Sequence, residues 1–299
     1  MKRLCCTIAF LLTIAAEPAE STRGDHLRDA YFRDQVRRIA DASLADIHTK
    51  EVWRRQLPEL RRQLLDMLGL WPLPARTNLH ATITGKVETD VLTVEKLHFE
   101  SSPALYVTAN LYLPKKVTSP CPAVLYLCGH SPVVIDKVSY GNKVFYQHHG
   151  AWYASHGFVC LVIDTLQMGE IEGIHHGTYR YNQWWWHTLG YTPAGVECWN
   201  AMRALDYLQT RKEVDPKRIG VAGRSGGGAS SWYIAAADER IACAVPVAGL
   251  ADLQAHIYDG VMDRFKDGVI SGHCDCMYFH NTYRWDFDKV IALCAPRPI

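Results

Sequence analysis

Ser225 stands inside Gly223-Arg224-Ser225-Gly226-Gly227, directly after the run Arg218-Ile219-Gly220-Val221-Ala222. A buried strand that runs into Gly-x-Ser-x-Gly must turn tightly into the following helix, and the serine hydroxyl is lifted out on that turn. Glycines flank the serine because a Cβ there would clash. The pattern alone also occurs in glycine-rich loops and phosphate cradles. The strand before it and the small-residue helix after it favour a nucleophile. Attack on an ester carbonyl then needs donors for the oxyanion. The N–H of Gly226 is one, and the loop Gly129-His130-Ser131 after an earlier strand offers the His130 amide as the second. The alternative for His130 is a loop cap.

Arg224, beside the nucleophile, has a planar fork that suits an oxyanion or a substrate carboxylate, and it equally suits a surface pair with a local acid. Between Asp164 and Pro193 lie Gly169-Glu170, His175-His176-Gly177-Thr178-Tyr179-Arg180 and Trp184-Trp185-Trp186. Aromatic faces and hydrogen-bonding side chains grip sugar rings, whereas a tryptophan cluster also packs a lid onto a core. A mixture is expected, with Glu170, His176, Trp185 and Arg224 as the substrate-binding residues. Asp252, His256, Asp259, Asp263, His273, Asp275, His280 and Asp286 follow in the 251–288 region, mostly as caps and ion-pair partners.

No metal site is expected. His273-Cys274-Asp275-Cys276 lacks a second Cys/His pair at tetrahedral spacing. His148-His149 and His175-His176 are adjacent, and on a strand adjacent side chains face opposite ways. Of the ten cysteines, Cys128, Cys160 and Cys243 fall in strand-like runs and read as small buried hydrophobes.

The elements that position these residues follow from hydrophobic period. Residues 25–70 repeat helically through Tyr31, Val36, Ile39, Val52, Leu57, Leu60, Leu64, Leu65 and Leu68, and Gly69 with Pro72 and Pro74 stops the pattern. From Leu79 to Leu113 the texture is alternating, which predicts antiparallel strands. Apolar strands at 123–128, 158–164, 218–222 and 242–248 then alternate with helices near 144–156, 193–210 and 229–236. That texture predicts a parallel sheet covered on both faces.

The 299 residues are nearly half apolar, enough for one large domain with a helical preface, and the net charge of +1 points to neither nucleic acid nor a membrane surface as partner. Met1-Lys2-Arg3 and the apolar stretch Leu4 to Ala16 (Cys5 and Cys6 within it) read as a signal peptide, with a buried N-terminal helix as the alternative. The expected organisation is 1–16 signal peptide, 17–78 helical preface and 79–299 catalytic domain. The expected location is secreted or periplasmic.

Eight motifs carry a family resemblance. They are Leu127-Cys128-Gly129-His130, Asp164-Thr165-Leu166-Gln167-Met168-Gly169-Glu170, His175-His176-Gly177-Thr178 and Gly190-Tyr191-Thr192-Pro193-Ala194-Gly195-Val196-Glu197. The later four are Gly223 to Gly228, Asp238-Glu239-Arg240, His273 to Cys276 and Ala295-Pro296-Arg297-Pro298. Across about residues 100–299 the chain resembles the α/β-hydrolase superfamily. Within it, the chain is similar to exported bacterial acetyl xylan esterase-like hydrolases and, more loosely, to glucuronoyl esterases.

The resemblance implies an α/β fold with a mostly parallel, doubly wound sheet. It also implies cofactor-free hydrolysis of a small-molecule or polysaccharide ester, with plant-type polysaccharide as the substrate. In the superfamily the strand opened by Ala-Pro-Arg-Pro leads to the triad acid, and the histidine follows the next strand. The expectation is that both lie beyond Ile299, in a C-terminally truncated chain whose 242–248 strand becomes an exposed edge. Ser225, then Asp259 or Asp263, then His273 or His280 satisfies the chain order internally, without family support for the histidine. Without its base Ser225 loses several orders of magnitude in rate. The alternatives are an inactive remnant that at most binds carbohydrate, or a peptidase or lipase on the same scaffold.

Overall fold

Capping residues set the first helices. Thr22 and Asp25 cap α1 (Arg23–Ala42) reciprocally, and the Thr49 hydroxyl caps α2 (Lys50–Met67). A computed structural model describes residues 22–116, 120–175, 177–258 and 278–299. The proposed signal segment 1–16, the sugar-loop His176 and the cluster His273 to Cys276 lie outside them. The apolar stripe of α2 is buried at Leu64, Leu65 and Met67. Helix α1 buries Val36 but leaves Tyr31 and Phe32 exposed.

Three antiparallel strands follow, β1 (Thr82–Glu88), β2 (Leu92–Ser102) and β3 (Leu105–Pro114), as their alternation requires. Next come β4 (Cys121–Leu127), a hairpin of β5 (Val133–Ile135) and β6 (Val138–Gly141), α3 (Asn142–Phe145) and α4 (Gln147–Ser155). The chain continues through β7 (Val159–Ile163), α5 (Thr178–Tyr181), α6 (Trp185–Thr188) and α7 (Pro193–Thr210). It then forms β8 (Val214–Arg224), α8 (Gly226–Ala237), β9 (Ile241–Val247), α9 (Leu253–Ile257) and α10 (Phe287–Ala292).

Apart from the β5–β6 hairpin, these strands join in one sheet of order β1-β2-β3-β7-β4-β8-β9, parallel from β7 to β9. Parallel neighbours require crossovers, and the crossover helices cover the faces. Along β4, Ala123, Leu125 and Leu127 enter the larger core with α2, α7, α8 and α10, whereas Val124 and Tyr126 enter the smaller one with Tyr146 and Ala154. The buried strands therefore have two apolar faces and read as continuous runs. Cys128 and Cys160 are buried in the smaller core, and burial pushes both thiols up, away from reactivity.

Strand β9 pairs with β8 and ends the sheet among the described strands, with Val245 and Val247 half exposed. Its outer edge is met by the Pro298 carbonyl, which accepts from Ala244 N–H at 3.0 Å. On the α4 side, a cavity of about 310 Å³ opens between Tyr153, Phe158, Ala222, Cys243 and Val245. Arg297 has a structural use: its guanidinium donates to the carbonyls of Ala235, Asp238, Ile241, Leu293 and Cys294, tying α8 and α10 to β9. The described helices include none long and apolar enough to cross a membrane.

Candidate active site

At the junction of β8 and α8, Ser225 has φ 59° and ψ −121°, a left-handed conformation that costs a non-glycine residue about 1–3 kcal/mol. Two backbone bonds hold it: Ser225 N–H donates to Val247 O at 2.9 Å, and Ser225 O accepts from Ala229 N–H at 3.0 Å. The surrounding glycines are demanded by close approach. A Cβ on Gly227 would collide with the Leu127 carbonyl, and one on Gly223 would collide with the Gly227 carbonyl. The strand, turn and helix expected from the sequence are therefore present, and Ser225 is exposed on the turn.

The Gly129 loop faces this turn. A Cβ placed on Gly129 would stand 3.4 Å from Ser225 Cβ, 2.6 Å from the Arg224 carbonyl and 2.6 Å from the Tyr146 hydroxyl. The two expected oxyanion segments, Gly226 and Gly129-His130, are thus brought together over one serine. The His130 ring also enters the site. It occupies the space beside Gly226 into which a Cβ would point, and it meets His175 edge-on at 4.6 Å between centroids. His175 is itself held, Nδ1 lying 2.7 Å from Leu166 O. Tyr146 and the His130 imidazole were not singled out from the sequence as site side chains; long-range packing alone places them here.

Arg224 ends β8 with its side chain exposed, making no hydrogen bond or ion pair among the described residues. Its charge acts on His149, which burial first, then His148 and Arg224, hold below the ordinary histidine range. Glu170 is ion-paired to Lys143 at 2.5 Å, so its carboxylate is committed on at least one side. Trp185 is half exposed and stacks at 4.5 Å on Trp186, which is buried. Trp186 thus anchors the pair in the core while one face of Trp185 stays open.

Behind the Gly129 loop lies a buried polar cluster. Lys143 Nζ donates to Asp164 Oδ2 at 2.7 Å, Lys143 N–H donates to Oδ1 at 2.8 Å, and the Thr108 hydroxyl donates to Oδ2 at 2.6 Å. Burial pushes the Asp164 carboxyl up, against the opposing pull of Lys143 and Thr108. Asn142 and Thr165 complete the cluster beneath Gly129 and Cys128.

Of the internal alternative for the triad's acid and histidine, only His280 is among the described residues. Asp259, Asp263 and His273 lie outside them, and His280 Nε2 lies 2.6 Å from His187 Nδ1. Asp286 caps α10 through Phe287 N–H and accepts from Leu253 N–H, a structural role. No group of three or more His, Cys, Asp or Glu among the described residues is arranged to hold a metal.

Comparison with known proteins agrees with this geometry. Residues 145–271 match the prolyl oligopeptidase family. A protein of Bacillus subtilis (strain 168), provisionally named the hydrolase YtaP, is 29% identical over 248 residues, covering 80% of this chain and 78% of its own. A Bacteroides fragilis NCTC 9343 protein provisionally named an acetyl xylan esterase superposes with a TM-score of 0.72 at 18% identity, covering 91% of this chain and 74% of that one. The glucuronoyl esterase from Solibacter usitatus gives 0.59 at 19% identity, over 85% and 76%. At such identities the superpositions establish the fold. This chain has an α/β-hydrolase-like fold, and its structural neighbours include acetyl xylan and glucuronoyl esterases.

Proposed function

We propose that this chain is a serine carboxylic-ester hydrolase that removes acyl groups from plant-type polysaccharide. The observation that carries the reading is the exposed Ser225 turn facing the Gly129-His130 loop, within contact distance of one Cβ. Ser225 Oγ would attack the acyl carbonyl, forming a tetrahedral oxyanion held by the N–H groups of Gly226 and His130. Collapse expels the sugar alkoxide, which takes up a proton, and leaves an ester on Ser225 Oγ. Water then attacks that ester and releases the carboxylic acid. The proton on Ser225 passes to a histidine base, which the superfamily's chain order places after the serine. The chemistry requires no metal or organic cofactor.

The polysaccharide assignment rests on the open face of Trp185, the exposed Arg224 fork, and the similarity to carbohydrate esterases. The provisional signal segment at 1–16 supports export. A second reading is a non-catalytic carbohydrate-binding remnant. Acetate release from acetylated xylan separates the two. Release by the chain supports the esterase, whereas retention on the xylan without release supports the remnant. Preferential cleavage of a peptide or a long-chain acylglycerol would move the assignment to a peptidase or lipase.

A further inference from the structure

The peptide linking Gly129 to His130 carries the proposed second oxyanion donor on its nitrogen and the Gly129 carbonyl on its other side. That carbonyl is held: Asn142 Nδ2 donates to Gly129 O at 2.7 Å. A peptide is planar, so fixing its carbonyl oxygen also fixes the direction of its N–H. We propose that Asn142 is a positioning residue for ester hydrolysis, setting the plane of the Gly129–His130 peptide so that the His130 N–H points at the developing oxyanion. The inference rests on the esterase reading above.

Four observations support it. First, the carboxamide cannot rotate. Its Oδ1 accepts from Thr165 N–H at 3.1 Å, and its Nδ2 also donates to Thr165 Oγ1 at 2.6 Å. A flipped amide would set Nδ2 against the Thr165 N–H. Second, Thr165 is anchored in turn, its hydroxyl donating to Cys128 O at 2.8 Å. Asn142 and Thr165 thus grip two successive carbonyls, those of Cys128 and Gly129.

Third, the backbone at Asn142 is pinned from the next residue. Lys143 N–H and Nζ both bind Asp164, which lies next to Thr165. All four side chains are buried, so no water competes for these bonds. Fourth, the chain of bonds is oriented for polarisation. A donor on the Gly129 oxygen draws charge across the peptide and strengthens its N–H as a donor. The side-chain bonds of Asn142 are directed at Gly129 and Thr165. Its action is therefore through the peptide rather than on substrate.

The test uses the isosteric Asn142→Asp, which keeps the acceptor for Thr165 N–H but removes the donor to Gly129 O. Crystal structures and 4-nitrophenyl acetate kinetics of the wild type and the variant are compared. The expected result is a Gly129–His130 peptide turned out of its wild-type plane and a kcat lower by about ten- to a hundredfold, at KM within about twofold. A fold defect alone would lower the active fraction without turning that plane. Should Asn142→Asp not fold, Thr165→Val removes the hydroxyl that holds the carboxamide and Cys128 O, and Thr165→Ser retains it. The valine variant should then show the turned plane and the serine variant should not. A wild-type plane in the variant that lacks the bond overturns the proposal. If the wild type shows no Ser225-dependent turnover, the esterase reading fails, while the plane comparison still decides the role of Asn142.

Discussion

The imidazole of His130 lies against the α-carbon of Gly226, filling the volume a side chain there would need. One residue thus contributes two parts to the candidate site: a peptide N–H on the loop proposed to hold the oxyanion and a ring that closes the wall beside the elbow. The parts separate by mutation. His130→Ala leaves the amide in place and should leave kcat nearly unchanged, whereas Gly226→Ala drives a Cβ into the ring and should cost about a hundredfold, as loss of an oxyanion donor does. In the double variant the collision is gone, and a substantial part of the loss should return. Steady-state kinetics on the three variants checks this; a large loss in His130→Ala would assign the ring a direct part in the chemistry.

Lys143 and Asp164 form a buried pair, 2.7 Å apart, with side chains 3% and 4% exposed. Removing the ammonium by Lys143→Met leaves a buried carboxylate without its counter-charge, at a cost of about 3–5 kcal/mol. Urea denaturation should show a lower midpoint at unchanged slope. Replacing both residues together should cost less than Lys143→Met alone.

The His187–His280 contact ties α6 to the segment before α10. Burial first, and then His187, hold the His280 imidazole below the ordinary histidine range, with Asp66 opposing. A histidine with a lowered folded pKa binds fewer protons folded than unfolded, so stability rises with pH across that interval. The stabilisation is complete above the unfolded pKa and is lost as pH falls through it toward the folded value. Denaturation midpoints measured between about pH 7 and pH 5, the range around the ordinary value of about 6.5, should fall less steeply in His280→Gln than in the wild type. Parallel curves would show that the pair is not the group responsible.

Arg224 carries a guanidinium with no acid beside it among the described residues. If it holds a substrate carboxylate, Arg224→Gln should lower kcat/KM about ten- to a hundredfold for acidic sugar esters, the worth of a charge-assisted bond. Neutral acetyl esters should be spared. Equal losses on both substrates would instead assign Arg224 to the oxyanion.

The elbow was legible from sequence because its constraint is local. Gly223 and Gly227 must lack a Cβ to let one turn pass beside Leu127, and the motif spans five residues. Helix α7 was legible for the same reason: Thr192 caps it and Pro193 opens it. The supporting polar cluster was not. Asn142 and Lys143 meet Thr165 and Asp164 across more than twenty residues, joined by strand order rather than by any spacing rule. The β5–β6 hairpin also escaped notice. Asp136 and Lys137 both take positive φ, where the usual signal would be Asn-Gly. Helix α1 misled in the other direction: its periodic Tyr31 is exposed.

Hydrolysis of 4-nitrophenyl acetate by the full chain and by Ser225→Ala tests the central claim most directly. The account predicts turnover by the wild type that falls by at least about a thousandfold in the alanine variant, with an unchanged melting temperature. A folded wild type without turnover, or equal rates in the two proteins, would contradict it.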